Sequence, residues 1–188
     1  MTTFTPYPDP LTGAELQTLR EACGLSRDEL GTLAGVAART VKHWEHGRSG
    51  VPGDVADLVR RLDKIIEATS VEAVDTYAQA IARHAGASAP ADVVLIRYRD
   101  ADHLTHYHPV MAGQPAGVHG AIVQRVAHAL RQRGQLVRVV WMVPADYEAW
   151  RTRTGQHDTE ATRAAWAADQ IQHQARAHRA DQPPEGAT

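Results

Sequence analysis

Leu25-Ser26-Arg27-Asp28-Glu29-Leu30-Gly31-Thr32-Leu33-Ala34-Gly35-Val36-Ala37-Ala38-Arg39-Thr40-Val41-Lys42-His43-Trp44-Glu45-His46-Gly47-Arg48 is the stretch whose reading decides the fold. Ser26-Arg27-Asp28-Glu29 is a capping box, in which the Ser26 hydroxyl and the Glu29 carboxylate satisfy each other's backbone amides and so start a helix. Leu30, Leu33 and Ala34 are expected to face inward from it, and Gly35 ends it after about two turns. A second short helix follows from Ala38 to His46. Val41 and Trp44 lie three residues apart and share one face of it, and Gly47 stops it.

The pattern extends outward on both sides. Upstream, Thr12-Gly13-Ala14-Glu15 is another capping box, opening a helix that runs to about Cys23 with Leu16 and Leu19 on its apolar side and Gly24 as its stop. Residues 1–11 hold Pro6, Pro8 and Pro10 and read as an arm without fixed structure. Downstream, Gly47–Gly53 is a loop. Pro52 and Asp54 begin a fourth helix with Val55, Leu58, Val59, Leu62, Ile65 and Ile66 at helical spacing. Ser70 is expected to cap a fifth, with Val74, Tyr77, Ala78 and Ile81 as its stripe. The N-terminal unit is thus an all-α domain of about five helices over 12–85.

Gly86-Ala87-Ser88-Ala89-Pro90 marks a boundary, giving a linker over 86–91. Beyond it the periodicity changes. Val93–Tyr98 reads as a strand, Val118–Arg133 as an amphipathic helix capped by Gly134, and Leu136–Val143 as a second strand stopped by Pro144. The long connection between the strands predicts a βαβ crossover, with the strands parallel. Residues 92–157 form a small α/β domain, 158–180 a last helix and 181–188 a polar tail. The expected class is α+β.

Composition excludes several functions. The longest apolar run, Val139–Val143, is far too short to span a bilayer, and Met1-Thr2-Thr3-Phe4 lacks the basic and apolar regions of an export signal. The expectation is a soluble, cytoplasmic chain with no membrane partner. A single cysteine, Cys23, leaves no internal disulfide and suits a reducing compartment. Net charge is −2, so binding to nucleic acid must come from a local patch. Ala37–Arg48 supplies one: Arg39, Lys42 and Arg48 against Glu45 leave it at +2.

The quoted stretch resembles the Cro/C1-type, lambda-repressor-like helix-turn-helix family nearly position for position, over about residues 12–69, in its spacing, its glycines and its Trp-Glu-x-Gly ending. The resemblance implies sequence-specific binding of double-stranded DNA with the Ala38–His46 helix in the major groove. Physical reasoning assigns the same faces. A recognition helix buries one side and offers the other to a groove about as wide as a helix. With Val41 and Trp44 buried, Ala38, Arg39, Lys42 and His43 are candidates for base readout, Arg39 through its two-pronged guanidinium. Arg27, Thr40 and Arg48 are candidates for phosphate contacts, Arg27 from a helix N-terminus that favours anions.

Two departures stand out: Ala37 replaces the family's usual serine and loses a helix cap, and Arg27 replaces its usual glutamine. The family also pairs a late arginine of the first helix with the glutamate of Trp-Glu-x-Gly. Arg20 and Glu45 stand at those positions, which implies a structural ion pair.

A narrower resemblance, through Val36, Arg39, Trp44-Glu45-His46-Gly47-Arg48-Ser49, Val51-Pro52 and Asp54-Val55, is to anti-CRISPR-associated repressors and their relatives. It implies an autoregulatory repressor of an anti-CRISPR or other phage or defence operon, dimeric through its C-terminal part and bound to an inverted repeat. Independently, two strands make a poor sheet alone, so residues 91–143 are expected to pair with a second copy, unless helices of the same chain cover the sheet.

His103, His106, His108 and His119 match no metal-ligand spacing, so no metal and no cofactor are expected. Asp100 and Asp102 lack an accompanying nucleophile, so no enzyme is expected. Trp141 and Trp150 read as core or interface. The alternatives are the antitoxin of a toxin–antitoxin pair and a regulator that senses a ligand or metal.

Overall fold

A computed structural model describes residues 10–84 and 92–180. The expected linker at 86–91, the tail at 181–188 and most of the N-terminal arm lie outside the described residues. Leu11, assigned to the arm, is 7% exposed and belongs to the core. It precedes the cap Thr12, and Leu16 follows at the fourth helical position, so the pair occupies the positions of a hydrophobic staple.

Four helices build the N-terminal part: α1 (Gly13–Ala22), α2 (Arg27–Leu33), α3 (Ala38–Glu45) and α4 (Gly53–His84). Both capping boxes are formed. Thr12 Oγ1 accepts from Glu15 N at 3.2 Å while Thr12 N donates to Glu15 Oε2 at 2.8 Å. Ser26 and Glu29 repeat the arrangement at 3.1 and 2.7 Å. As expected, Ala37 offers α3 no side-chain cap.

The expected break at Ser70 is absent, and the fourth and fifth helices are one 32-residue helix. Ser70 Oγ donates to Ile66 O at 2.6 Å, four residues back in the same helix. A serine that satisfies its hydroxyl this way does not need to cap, and no glycine or proline stands nearby to stop the chain. One inward assignment fails, since Leu33 is 40% exposed, and Ile65, at helical spacing with the buried residues of α4, is 59% exposed.

The C-terminal part has β1 (Val93–Arg97) and β2 (Val137–Trp141) in parallel, with Val93 beside Val137 and Arg97 beside Trp141. The crossover contains α5 (Ala101–Tyr107), a 3-10 turn at Pro109–Met111 and α6 (Ala116–Gln132). Then come α7 (Pro144–Thr154) and α8 (Glu160–Ala180). The architecture is α+β. Sequence periodicity had not indicated α5 or α7. The strand expected to run to Pro144 ends at Trp141 instead, and Pro144 stands at the first position of α7, where its missing N–H costs nothing.

Helices pack on both faces of the sheet but leave Val139 and Trp141 of β2 exposed. Val93, Leu95 and Val137 join the core with Val118, Ile122 and Val126 of α6. Val94, Ile96 and Val140 pack on a second cluster with Tyr98, Tyr107, Tyr147 and Trp166. The first cluster runs without interruption from α1 to the sheet, because α4 lies along α6. Arg125 of α6 reinforces that contact by donating to Asp63 at 2.5 Å and to Glu67 at 3.0 Å, both on α4. Gly24, after α1, and Gly117, at the start of α6, approach backbone to backbone so closely that a side chain on either would collide with the other's carbonyl.

Candidate nucleic-acid interface

The site rests on how α3 is held. Val41 is fully buried and Trp44 is 6% exposed, so the inner face of α3 is seated in the core. Gly47, with φ +67°, reverses the chain at its end. Gly47 N donates to Trp44 O and Arg48 N to His43 O at 2.9 Å, a Schellman pair that satisfies the last carbonyls and fixes where Arg48 begins.

Glu45, next to Trp44, is buried and ties three helices together. Arg20 Nε of α1 donates to Glu45 Oε1 at 2.6 Å, and Arg27 Nε of α2 donates to Glu45 Oε2, also at 2.6 Å. Arg20 spends a further nitrogen on Leu25 O at 2.7 Å, which pins the turn between α1 and α2. Burial by itself would raise the Glu45 pKa. The hydrogen bonds and charges of the two arginines outweigh it and hold the carboxyl below its ordinary 4.5.

With that face occupied, the outward side of α3 is left to solvent. Arg39, Lys42, His46 and Arg48 are exposed, and Ala38, Thr40 and His43 are half-buried. Arg39 and Lys42 line an open depression with Ser26 and Arg27 at the start of α2, and Glu21 and Asp28 form an acidic part of its rim. The structure therefore brings Ala38, Arg39, Lys42 and Arg27 to one surface. Arg48 lies beyond the end of α3 and is not part of that depression.

Sequence reasoning missed the second partner of Glu45. No local pattern signals it, because Arg27 and Glu45 stand 18 residues apart on two different helices.

The histidines of the crossover do not assemble a metal centre; among the described residues no group of His, Cys, Asp and Glu is placed to hold an ion. Asp100 caps α5 instead, accepting from His103 N at 2.8 Å. The His119 ring lies 5.7 Å from His108 and 5.0 Å from Tyr98. Cys23 is a core residue, its thiol pushed up to about 11 by burial.

A buried-glutamate clamp, a seated third helix and a basic outward face define a helix-turn-helix unit, the class found in DNA-binding regulators. Residues 12–75 match the helix-turn-helix domain family. That match ends within α4 and leaves the βαβ unit and the last two helices outside it. No curated protein matches the chain. No helix among the described residues is long and apolar enough to cross a membrane.

Proposed function

We propose that the protein is a sequence-specific transcriptional repressor, acting as a homodimer on an inverted-repeat operator and regulating its own operon. One observation carries this reading: α3 is locked from behind by Trp44 and the Glu45 clamp, so Arg39 and Lys42 are presented on a rigid helix face beside Arg27. Rigid presentation is what base readout requires, because bidentate recognition tolerates little positional error.

In this reading Ala38, Arg39, Lys42 and His43 meet base edges, and Arg27, Thr40 and Arg48 meet phosphates. Glu45 takes only Nε of Arg27, leaving the terminal guanidinium nitrogens as donors for a phosphate. The narrower resemblance to anti-CRISPR-associated repressors supports a phage or defence operon as the target. One helix-turn-helix touches few base pairs, so selective binding favours two, about 34 Å apart, on a two-fold symmetric site.

Selection of bound sequences from random double-stranded DNA tests the proposal. The expected outcome is a palindromic motif with half-site centres about 10 base pairs apart, or a multiple of that spacing. Failure to enrich any motif, at low salt as well as near-physiological salt, would overturn it.

A further inference from the structure

We propose that the outer edge of β2 is the seam of the homodimer, with Val137–Trp141 of two copies pairing antiparallel about Val139 into one continuous four-stranded sheet. This rests on the homodimer reading above and specifies its surface.

Among the described residues the sheet has two strands, and β2 pairs only with β1. Val93 N donates to Leu136 O at 2.9 Å, and Met142 N donates to Arg97 O at 2.8 Å. A residue's N–H and C=O point to the same side of a strand and alternate along it, so even-numbered residues of β2 bond to β1. The backbone groups of Val137, Val139 and Trp141 therefore face outward. A two-fold axis through Val139 sets Val139 against the partner's Val139, and Val137 against the partner's Trp141. Every residue that faces outward then meets one that faces outward, which is the parity an antiparallel ladder requires.

The side chains agree with this register. Of the seven exposed large apolar residues among the described residues, three fall within Leu136–Trp141: Leu136 at 59%, Val139 at 43% and Trp141 at 42%. Val139 and Trp141 share the face of Val137, which packs under α6, yet α6 does not cover them. A two-fold axis normal to the sheet keeps the α6 helices of both copies on that face and places Val139 and Trp141 between them. Trp141 is already positioned, with the Arg97 and Arg99 guanidinium carbons 5.2 and 4.8 Å from its ring centre, so ordering it costs little on association.

Charge is also compatible. Arg138 is on the opposite face, with its Nε 3.8 Å from Asp92 of its own chain. It meets the partner's Val140. A register centred on Arg138 would instead put two arginines opposite each other. Val137–Trp141 contains neither proline nor lysine, and its one charge, Arg138, lies on the face opposite Val139 and is turned toward Asp92 of its own chain.

The test uses the full-length protein in three forms. Light scattering of the wild type is expected to show a dimer. Val139→Lys sets two ammonium groups face to face at the axis and is expected to weaken dimerisation by about tenfold or more, with the circular dichroism spectrum unchanged, since Val139 is not a core residue. Val139→Cys is expected to form a disulfide-linked dimer with oxidised glutathione, because paired Cα atoms there lie about 5.5 Å apart. Arg138→Cys, whose copy is two residues further along, is expected not to. Cys23 is fully buried and stays out of the reaction. A dimeric wild type with an equally dimeric Val139→Lys form and no cross-link through Val139→Cys would overturn the seam and leave the homodimer standing. A monomeric wild type would overturn both.

Discussion

At the residue scale, readout and support separate cleanly on α3. Arg39 is exposed and Lys42 stands one helical turn on, so neither contributes to the core. Arg39→Ala is expected to leave the melting temperature unchanged and to cost about 1–3 kcal/mol at one base position, measured on a panel of single-base operator variants. Equal loss on every sequence would make Arg39 a phosphate contact. Arg48→Ala is expected to weaken all sequences alike and to reduce the slope of log K against log salt by about one. Glu45 is the opposite kind of residue. Glu45→Gln leaves Arg20 and Arg27 without their carboxylate and is expected to cost about 3–5 kcal/mol in urea unfolding. Because its pKa is lowered in the fold, the stability that Glu45 contributes is fully present above its ordinary 4.5 and is lost as pH falls below it. The variant's stability should therefore be less sensitive to pH in that acid range. The roles of Val41 and Trp44 could be read from the sequence because a three-residue spacing sets a helix face. Arg27's bond to Glu45 could not, since it joins residues 18 apart through the turn between two helices, and a residue at a helix start looks equally suited to an anion.

At the element scale, what the sequence announced were starts and stops. Thr12/Glu15, Ser26/Glu29, Gly24, Gly35 and Gly47 each act through local backbone chemistry, and the helices begin and end where those residues place them. Ser70 misled for the same local reason: its hydroxyl has two uses, capping and back-bonding, and only the packing of α4 against α6 selects the second. α5 and α7 were hidden because each is short and buries few residues, Leu104 and Tyr107 in one and Tyr147 in the other. The approach of Gly24 to Gly117 is another contact that no local pattern reveals. It predicts that Gly117→Ala destabilises the protein by about 1–3 kcal/mol, because the added methyl meets backbone and not a movable side chain. Gly50→Ala, with open space around it, is the matched control. Thermal melts of both decide the point; equal melting temperatures would mean that α6 can shift away from the α1–α2 turn.

At the scale of the whole molecule, one apolar cluster runs from Leu11 through α4 to the sheet, so the helix-turn-helix unit and the βαβ unit should unfold together. A titrating group in either part then registers in the stability of both. His119 sits in the first turns of α6, and its Nδ1 has no hydrogen-bond partner among the described residues. Burial first, then the neighbouring charges of His108 and Arg97, lower its pKa from 6.5 to about 4, and burial lowers that of His108 as well. In the unfolded chain His119 takes up its proton as pH falls through 6.5, whereas in the fold it stays neutral until about 4. Stability should therefore fall through that window, by up to about 1.4 kcal/mol per pH unit for each histidine involved, starting well above the 4.5 at which the Glu45 contribution begins to be lost. His119→Phe keeps an aromatic ring against Tyr98 and removes the proton site. It should flatten the pH dependence between 6.5 and 4 and leave the variant more stable than the wild type at pH 5. Urea unfolding across that range, followed by tryptophan fluorescence, measures both effects. Trp44 in the helix-turn-helix unit and Trp166 in the C-terminal cluster are buried in different parts of the fold, so together they also report whether the two parts unfold in a single transition. An unchanged slope in His119→Phe would place the proton uptake on His108, and two separate transitions would show that the shared cluster does not couple the units.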